Sequence, residues 1–329
     1  MIKKLKLNNE QILKFTLTII LSLGLIFYAG IDSQIIYFNL LITSIVFLLL
    51  LQKNETYFSN KAINIFLFFS LFGFISIFWS IHKLRTIIES IHLFYLVIIL
   101  LFSLQVKKKN YYKIIKLIMV ISLFISFVGV LQYLLNIETR VNSVFNNPNP
   151  FGLFMSMMFI LSIGYYFIKK EKKLYIFAII FLTTLLLTGS KGSMIALIIS
   201  MFFYFFKVKK NTRLYKLKKI IIAFIASYIF YQVLFFTRSL LNQFVLKSRF
   251  LLEDMIRKDS IVSSSINGRL EFWKIAFQLF LDKPIGGYGL GTYFTGYSLK
   301  YPLNQWFSRF THNHYLQIFS ELGLIGIIS

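Results

Sequence analysis

The sequence predicts an all-α, polytopic transmembrane helix bundle with one large extracytoplasmic loop, and three observations carry that prediction. First, 57% of the 329 residues are hydrophobic and the mean hydropathy is +0.71, well above an ordinary soluble domain. Second, the apolar residues come in blocks of about 15–22, long enough to cross a hydrocarbon core of about 30 Å. A soluble chain of this length can bury one or two such blocks, not nine or ten. Third, lysine clusters alternate with the blocks, as cytoplasmic loops do under the positive-inside rule. That alternation accounts for the formal charge of +24 without a nucleic-acid partner, and membrane lipids are the surroundings it implies. There is no Cys, so disulfides and thiolate metal sites are excluded.

Taken in order, the apolar runs place spans near 14–31, 35–51, 62–80, 91–106, 114–135, 150–168, 174–189, 192–208 and 219–236. A tenth begins near His314 and is cut by the chain end at Ser329. The first run follows Lys3, Lys4 and Lys6 as a signal peptide would. It lacks a small-residue cleavage site before Asp32 and is followed at once by a second span, so it reads as an uncleaved anchor. With the N-terminus inside, the inner segments carry 18 Lys and Arg, whereas the short outer loops carry only Lys83, Arg85, Arg140 and Lys191. Residues 1–236 are therefore a nine-span bundle, 237–312 an extracytoplasmic loop, and 313–329 the start of the tenth span. Loops that long usually carry function. Within this one, Ser265 or Asn267 can cap an amphipathic helix near 267–282, with Leu270, Trp273, Phe277 and Phe280 as its apolar stripe.

The polar residues at the outer ends of the spans are the candidates for chemistry. His312 lies in Thr311-His312-Asn313-His314, where the loop enters the tenth span. A helix N-terminus lowers an imidazole pKa and keeps it available as a base; interfacial hydrogen bonding is the plain alternative for His312 and His314. Glu321 is the only carboxylate in the interior of a span, roughly 10–12 Å below His314 at 1.5 Å per residue. It is either functional, with a buried cationic partner, or structural beside Gly323 and Gly326. The Gly-rich 286–291 segment reads as tight turns and not as a nucleotide fingerprint. Asn146 to Gly152 contains Pro148 and Pro150, which fix an extended entry to the next span, with Asn147 and Asn149 able to meet sugar hydroxyls or simply to shape the turn.

His312-Asn313, nine residues, then Gly323-Leu324-Ile325-Gly326 resembles the signature of the O-antigen ligase family, whose superfamily includes O-antigen polymerases and protein O-oligosaccharyltransferases. Four further segments resemble the family in matching order: Asn146–Gly152, Thr188–Ser193, Asn267-Gly268-Arg269 with Trp273, and Pro284–Gly291. The resemblance implies roughly a dozen spans and an active site on the outer face of the bacterial inner membrane. It implies transfer of a glycan from an undecaprenyl-diphosphate carrier to a hydroxyl of lipid A–core or of another glycan, with no metal and no cofactor. By the same resemblance His312 is the base and Arg269 binds the diphosphate. Lys191 stands where the family usually has Arg; it can neutralise a phosphate, but without the bidentate fork. Snorkelling to lipid phosphate is its alternative. For the whole chain the rival reading is a transporter or flippase of lipid-linked sugars, which would show repeated halves and polar helices near the midplane.

Overall fold

A computed structural model describes residues 61–105, 108–137, 140–145, 147–249, 266–300 and 308–328. The spans expected near 14–31 and 35–51 lie outside the described residues, as do Ser265 and Asn146. The described residues are overwhelmingly helical, with no strand among them. They fall into two compact units, 61–105 with 266–328, and 108–249.

In the first unit, α1 (Lys61–Ile75) ends in a short 3-10 turn, Ser76–Phe78, and α2 (Lys83–Gln105) follows. α2 starts eight residues before the apolar run predicts, because its first turns are charged yet helix-compatible: Arg85 and Glu89 pair at i, i+4, 2.9 Å apart. α8 (Ile266–Asp282), α9 (Tyr293–Lys300) and α10 (His314–Ile328) complete the unit. The buried stripe of α8 is Phe272, Ile275, Ala276 and Leu279, packed with Tyr293 and Tyr297 of α9. Leu270 and Phe277, assigned to the stripe by their spacing, are about half exposed. The buried face is therefore rotated from the expected stripe and includes the small Ala276, which is fully buried against α9 residues in the same cluster.

The second unit holds α3 (Lys108–Leu134), α4 (Pro148–Lys169), α5 (Lys172–Thr188), α6 (Lys191–Lys207) and α7 (Lys210–Arg249). Its core is built from Phe151, Met155 and Phe159 of α4 and Phe181, Leu182 and Leu185 of α5, all fully buried. The polar contacts between spans use small side chains: Ser227 on α7 donates to the Ile179 carbonyl at 3.1 Å, and Thr183 on α5 donates to the Ser227 carbonyl at 3.3 Å. Outward, α6 and α7 expose Ile195, Phe202, Phe203, Ile222, Ile225 and Ile229, an apolar surface that a water-soluble protein rarely carries. α2, α3, α4 and α7 are each long and apolar enough to cross a membrane. The protein is a multi-pass helical membrane bundle. α7 has 40 residues, about 60 Å of helix against a core of about 30 Å. It therefore continues through position 237, where the sequence places the start of the outer loop.

Between α4 and α5, Glu171 accepts from the Tyr112 hydroxyl and pairs with Lys116 and Lys173. The Tyr112 hydrogen bond first, and the lysines after it, hold its carboxyl down to about 2.

Candidate active site

The first unit is organised by a helix that breaks. Gly323 interrupts α10 at φ 63°, ψ −156°, a conformation essentially restricted to glycine. The break frees backbone groups on both sides, and the 284–291 turn occupies them. Tyr288 N–H donates to the Ser320 carbonyl (3.1 Å) and Gly289 N–H to that of Glu321 (2.8 Å), while Leu324 N–H donates to Pro284 (2.8 Å) and Ile325 N–H to Ile285 (3.3 Å). A helix break persists where other backbone satisfies the freed groups in this way. The corner between α1 and α2 holds the turn from its other side. Trp79 Nε1 donates to Gly286 O at 2.9 Å, Thr86 Oγ1 to Leu290 O at 2.9 Å, and Ile81 N–H to Tyr288 O at 3.1 Å.

Above the break, the chain enters α10 through a sharp corner at Thr311-His312-Asn313. Asn313 caps the helix, its Oδ1 accepting from the N–H groups of Tyr315 (3.1 Å) and Leu316 (3.3 Å). His312, just before the cap, has φ 56°, a left-handed value uncommon outside glycine. Thr311 is fully buried: its carbonyl accepts from Trp273 Nε1 of α8 at 3.0 Å, and its hydroxyl donates to Asn313 O at 2.6 Å. The His312 ring packs on Phe272, with centroids 6.0 Å apart, and its Nε2 lies 3.2 Å from Ser308 Oγ. The single Ser308 proton is committed to Phe310 O at 2.7 Å, so the contact is an Nε2–H donation that leaves Nδ1 unprotonated. Desolvation against its neighbours, and the Arg269 guanidinium second, hold the imidazole below its ordinary pKa. The imidazole is therefore neutral at pH 7, and the ring remains accessible.

In the second unit, the turn before α6 is built around Arg140. Its Nε donates to Thr188 O at 3.0 Å and its Nη2 to Asn149 Oδ1 at 2.9 Å. Ser190 caps α6 by accepting from Ser193 N–H, and Ser193 Oγ donates to Asn149 O at 3.2 Å. The starts of α4 and α6 are thereby tied together, and Lys191 is exposed at the first position of α6. A cation there opposes the helix dipole, so its placement does not serve the helix.

Residues 176–329 match the family model described as O-Antigen ligase. That stretch belongs to the O-antigen ligase family. No curated protein and no solved structure matches the chain. His312, Arg269, Lys191 and Glu321 all fall inside the O-antigen ligase stretch, while Arg140, Asn147 and Asn149 precede it.

Within the first unit Arg269, exposed in the opening turn of α8, lies within electrostatic range of His312, its charge adding to desolvation in lowering the imidazole pKa. Of the two settings the sequence allows for Glu321, the structure does not supply the buried cationic partner among the described residues. The Glu321 carboxylate accepts from the N–H groups of Gly291 (2.7 Å) and Tyr293 (3.2 Å) and from Gln317 Nε2 (2.9 Å). The start of α9 supplies the positive end that a Lys or Arg would otherwise provide. Asn147 accepts from Asn149 N–H as the cap of α4, and Asn149 accepts from Arg140, so both oxygens are committed to the fold. His314 is exposed beside the cap. Two residues escaped the sequence reading. Arg140 was legible as the lone arginine of a short outer loop, and Gln317 as the polar residue one turn before Glu321, on the same helix face.

Proposed function

We propose that this O-antigen ligase-type enzyme transfers a glycan from an undecaprenyl-diphosphate carrier to an acceptor hydroxyl, at the outer face of the bacterial inner membrane. The observation that carries the reading is the accessible His312 imidazole, whose Nε2 is held at Ser308 Oγ so that Nδ1 is the accepting nitrogen, with the Arg269 charge acting on the same ring. In the step, the acceptor hydroxyl loses its proton to His312 Nδ1 and its oxygen bonds to the anomeric carbon. The bond from that carbon to the diphosphate oxygen breaks, and the electron pair leaves with the diphosphate. Arg269 is the fixed cation for the charge developing there, a role that gains strength in a partly dehydrated site. Lys191, exposed where the helix dipole disfavours it, is read as a second phosphate-binding cation. Lipid A–core is the acceptor in the ligase form of this chemistry; another carrier-linked glycan or a protein hydroxyl serves in the polymerase and protein-glycosylating forms.

Purified protein in liposomes, given a carrier-linked glycan and lipid A–core, is expected to move the glycan onto the core. Extension of the carrier-linked chain instead would identify the polymerase form, and absence of any transfer would sink the reading. Arg269 also makes a pH prediction. A base must be unprotonated, so the rate should rise with pH through the His312 pKa and then level. Removing the positive charge in Arg269→Gln favours the protonated imidazole, so the acid limb should move to higher pH. It should stay below the ordinary imidazole value, because desolvation persists. Arg269→Lys should leave the limb near its original position. A limb that does not move in Arg269→Gln would show that this charge is not felt by the titrating group. For Lys191, exchange to Ala is expected to weaken donor use by about 10-fold or more, read as donor KM, with Lys191→Arg at or above the parent; equal values in all three would show that Lys191 does not bind the donor phosphate.

A further inference from the structure

We propose that Glu321 and Gln317 are positioning residues that orient the His312 imidazole from within α10. The contacts form an unbroken chain. Gly291 and Tyr293 N–H groups anchor the Glu321 carboxylate, which accepts from Gln317 Nε2 at 2.9 Å. With its amide nitrogen thus committed, Gln317 turns its Oε1 toward the corner, where it accepts from Thr311 N–H at 3.3 Å and faces Thr311 Oγ1 at 3.4 Å. Thr311 is the residue before His312, and Trp273 holds its carbonyl from the other side. A left-handed φ at His312 persists only where its surroundings over-determine it, and this chain is the part of those surroundings that comes from inside the helix.

The order of donors and acceptors is what matters. The backbone groups at the α9 start can only donate, so the residue at 321 must accept, Gln317 must donate downward, and its oxygen is thereby aimed at Thr311. A carboxylate at 321 dictates this order; an amide there permits the reverse. The polarity of one buried side chain, two helical turns below His312, sets which way a second side chain faces and so fixes the corner. Glu321 and Gln317 act on His312 only through Thr311, with which Gln317 makes the contact.

The inference rests on His312 being the base, and its test separates the two claims. In full-length protein in lipid nanodiscs, Gln317→Ala and Glu321→Gln are expected to lower kcat about 10–100-fold with donor KM unchanged. Both should also move the His312 imidazole nitrogen resonances, assigned by their loss in His312→Ala. The double exchange Gln317→Glu with Glu321→Gln reverses the lower bond, the amide at 321 donating upward to a carboxylate at 317, and restores an acceptor for Thr311 N–H. It should bring back both kcat and the resonances, and it guards against a general loss of folding. Unmoved resonances with kcat within about twofold of the parent would overturn the positioning role. So would single variants that lose activity through KM, or a double variant no better than the singles. Resonances that move while His312→Ala transfers normally would leave the positioning intact and overturn the base assignment instead.

Discussion

Replacing His312 with Ala is expected to lower glycan transfer by about 10²–10⁴-fold, the usual contribution of a positioned general base. The expectation rests on several independent features. The acceptor hydroxyl has a pKa far above neutrality and needs a proton acceptor within hydrogen-bond reach. Depressed by desolvation and by Arg269, His312 is in its neutral form at pH 7. Its Nε2 is occupied at Ser308 Oγ, 3.2 Å away, which leaves Nδ1 for the substrate. Asn313 supplies the helix cap and Thr311 the buried anchor, so the His312 side chain is not needed to hold the corner together. The variant should therefore fold, with an unaltered melting curve and donor KM, and lose only kcat. His312→Gln should be equally inactive, because its amide donates and accepts but does not take up a proton near pH 7. A His312→Ala protein that transfers glycan within about threefold of the parent would remove the base from the mechanism.

The sequence showed the helical membrane class and the approximate place of most described helices, because apolar length and lysine clusters act locally. It placed His312 and Arg269 as candidates through spacing and charge. What it did not show depends on pairings distant in the chain. Glu321 could be read as a charge with a buried cation or as a structural group beside Gly323 and Gly326, since nothing nearby in sequence reveals that N–H groups some 30 positions earlier answer it. The Gly286–Gly291 segment read as tight turns, and only the fold shows that the backbone from Pro284 to Gly289 completes the hydrogen bonds of a helix that begins at His314. The extension of α7 to Arg249 was hidden for the opposite reason: hydropathy ends where the membrane ends, but a helix does not. Arg140 was visible as a charge, and only the fold reveals it as the bracket of the Lys191 turn.

The break in α10 yields the second large effect. Gly323 carries a φ that side chains rarely adopt, and a Cβ there would stand 2.7 Å from the Pro284 carbonyl oxygen and closer still to that of Ile285. Gly287 faces it: at φ +64, a Cβ would stand 2.5 Å from Leu322 N and closer still to the Glu321 carbonyl. In both cases the obstacle is backbone, which cannot rotate away as a side chain can. Relief requires the 284–291 turn to withdraw from the broken helix, leaving up to four backbone hydrogen bonds unmade. Gly323→Ala and Gly287→Ala are each expected to cost on the order of 3 kcal/mol or more. The loss should appear as a lower unfolding midpoint in detergent together with loss of transfer, because the same turn anchors Glu321. Gly164→Ala is the control: it lies inside α4, nothing stands within 4 Å of its added Cβ, and it should be neutral or stabilising by up to about 1 kcal/mol. If Gly323→Ala and Gly164→Ala unfold at the same midpoint, the turn does not hold the helix break, and the link from that break to the His312 corner would have to be abandoned.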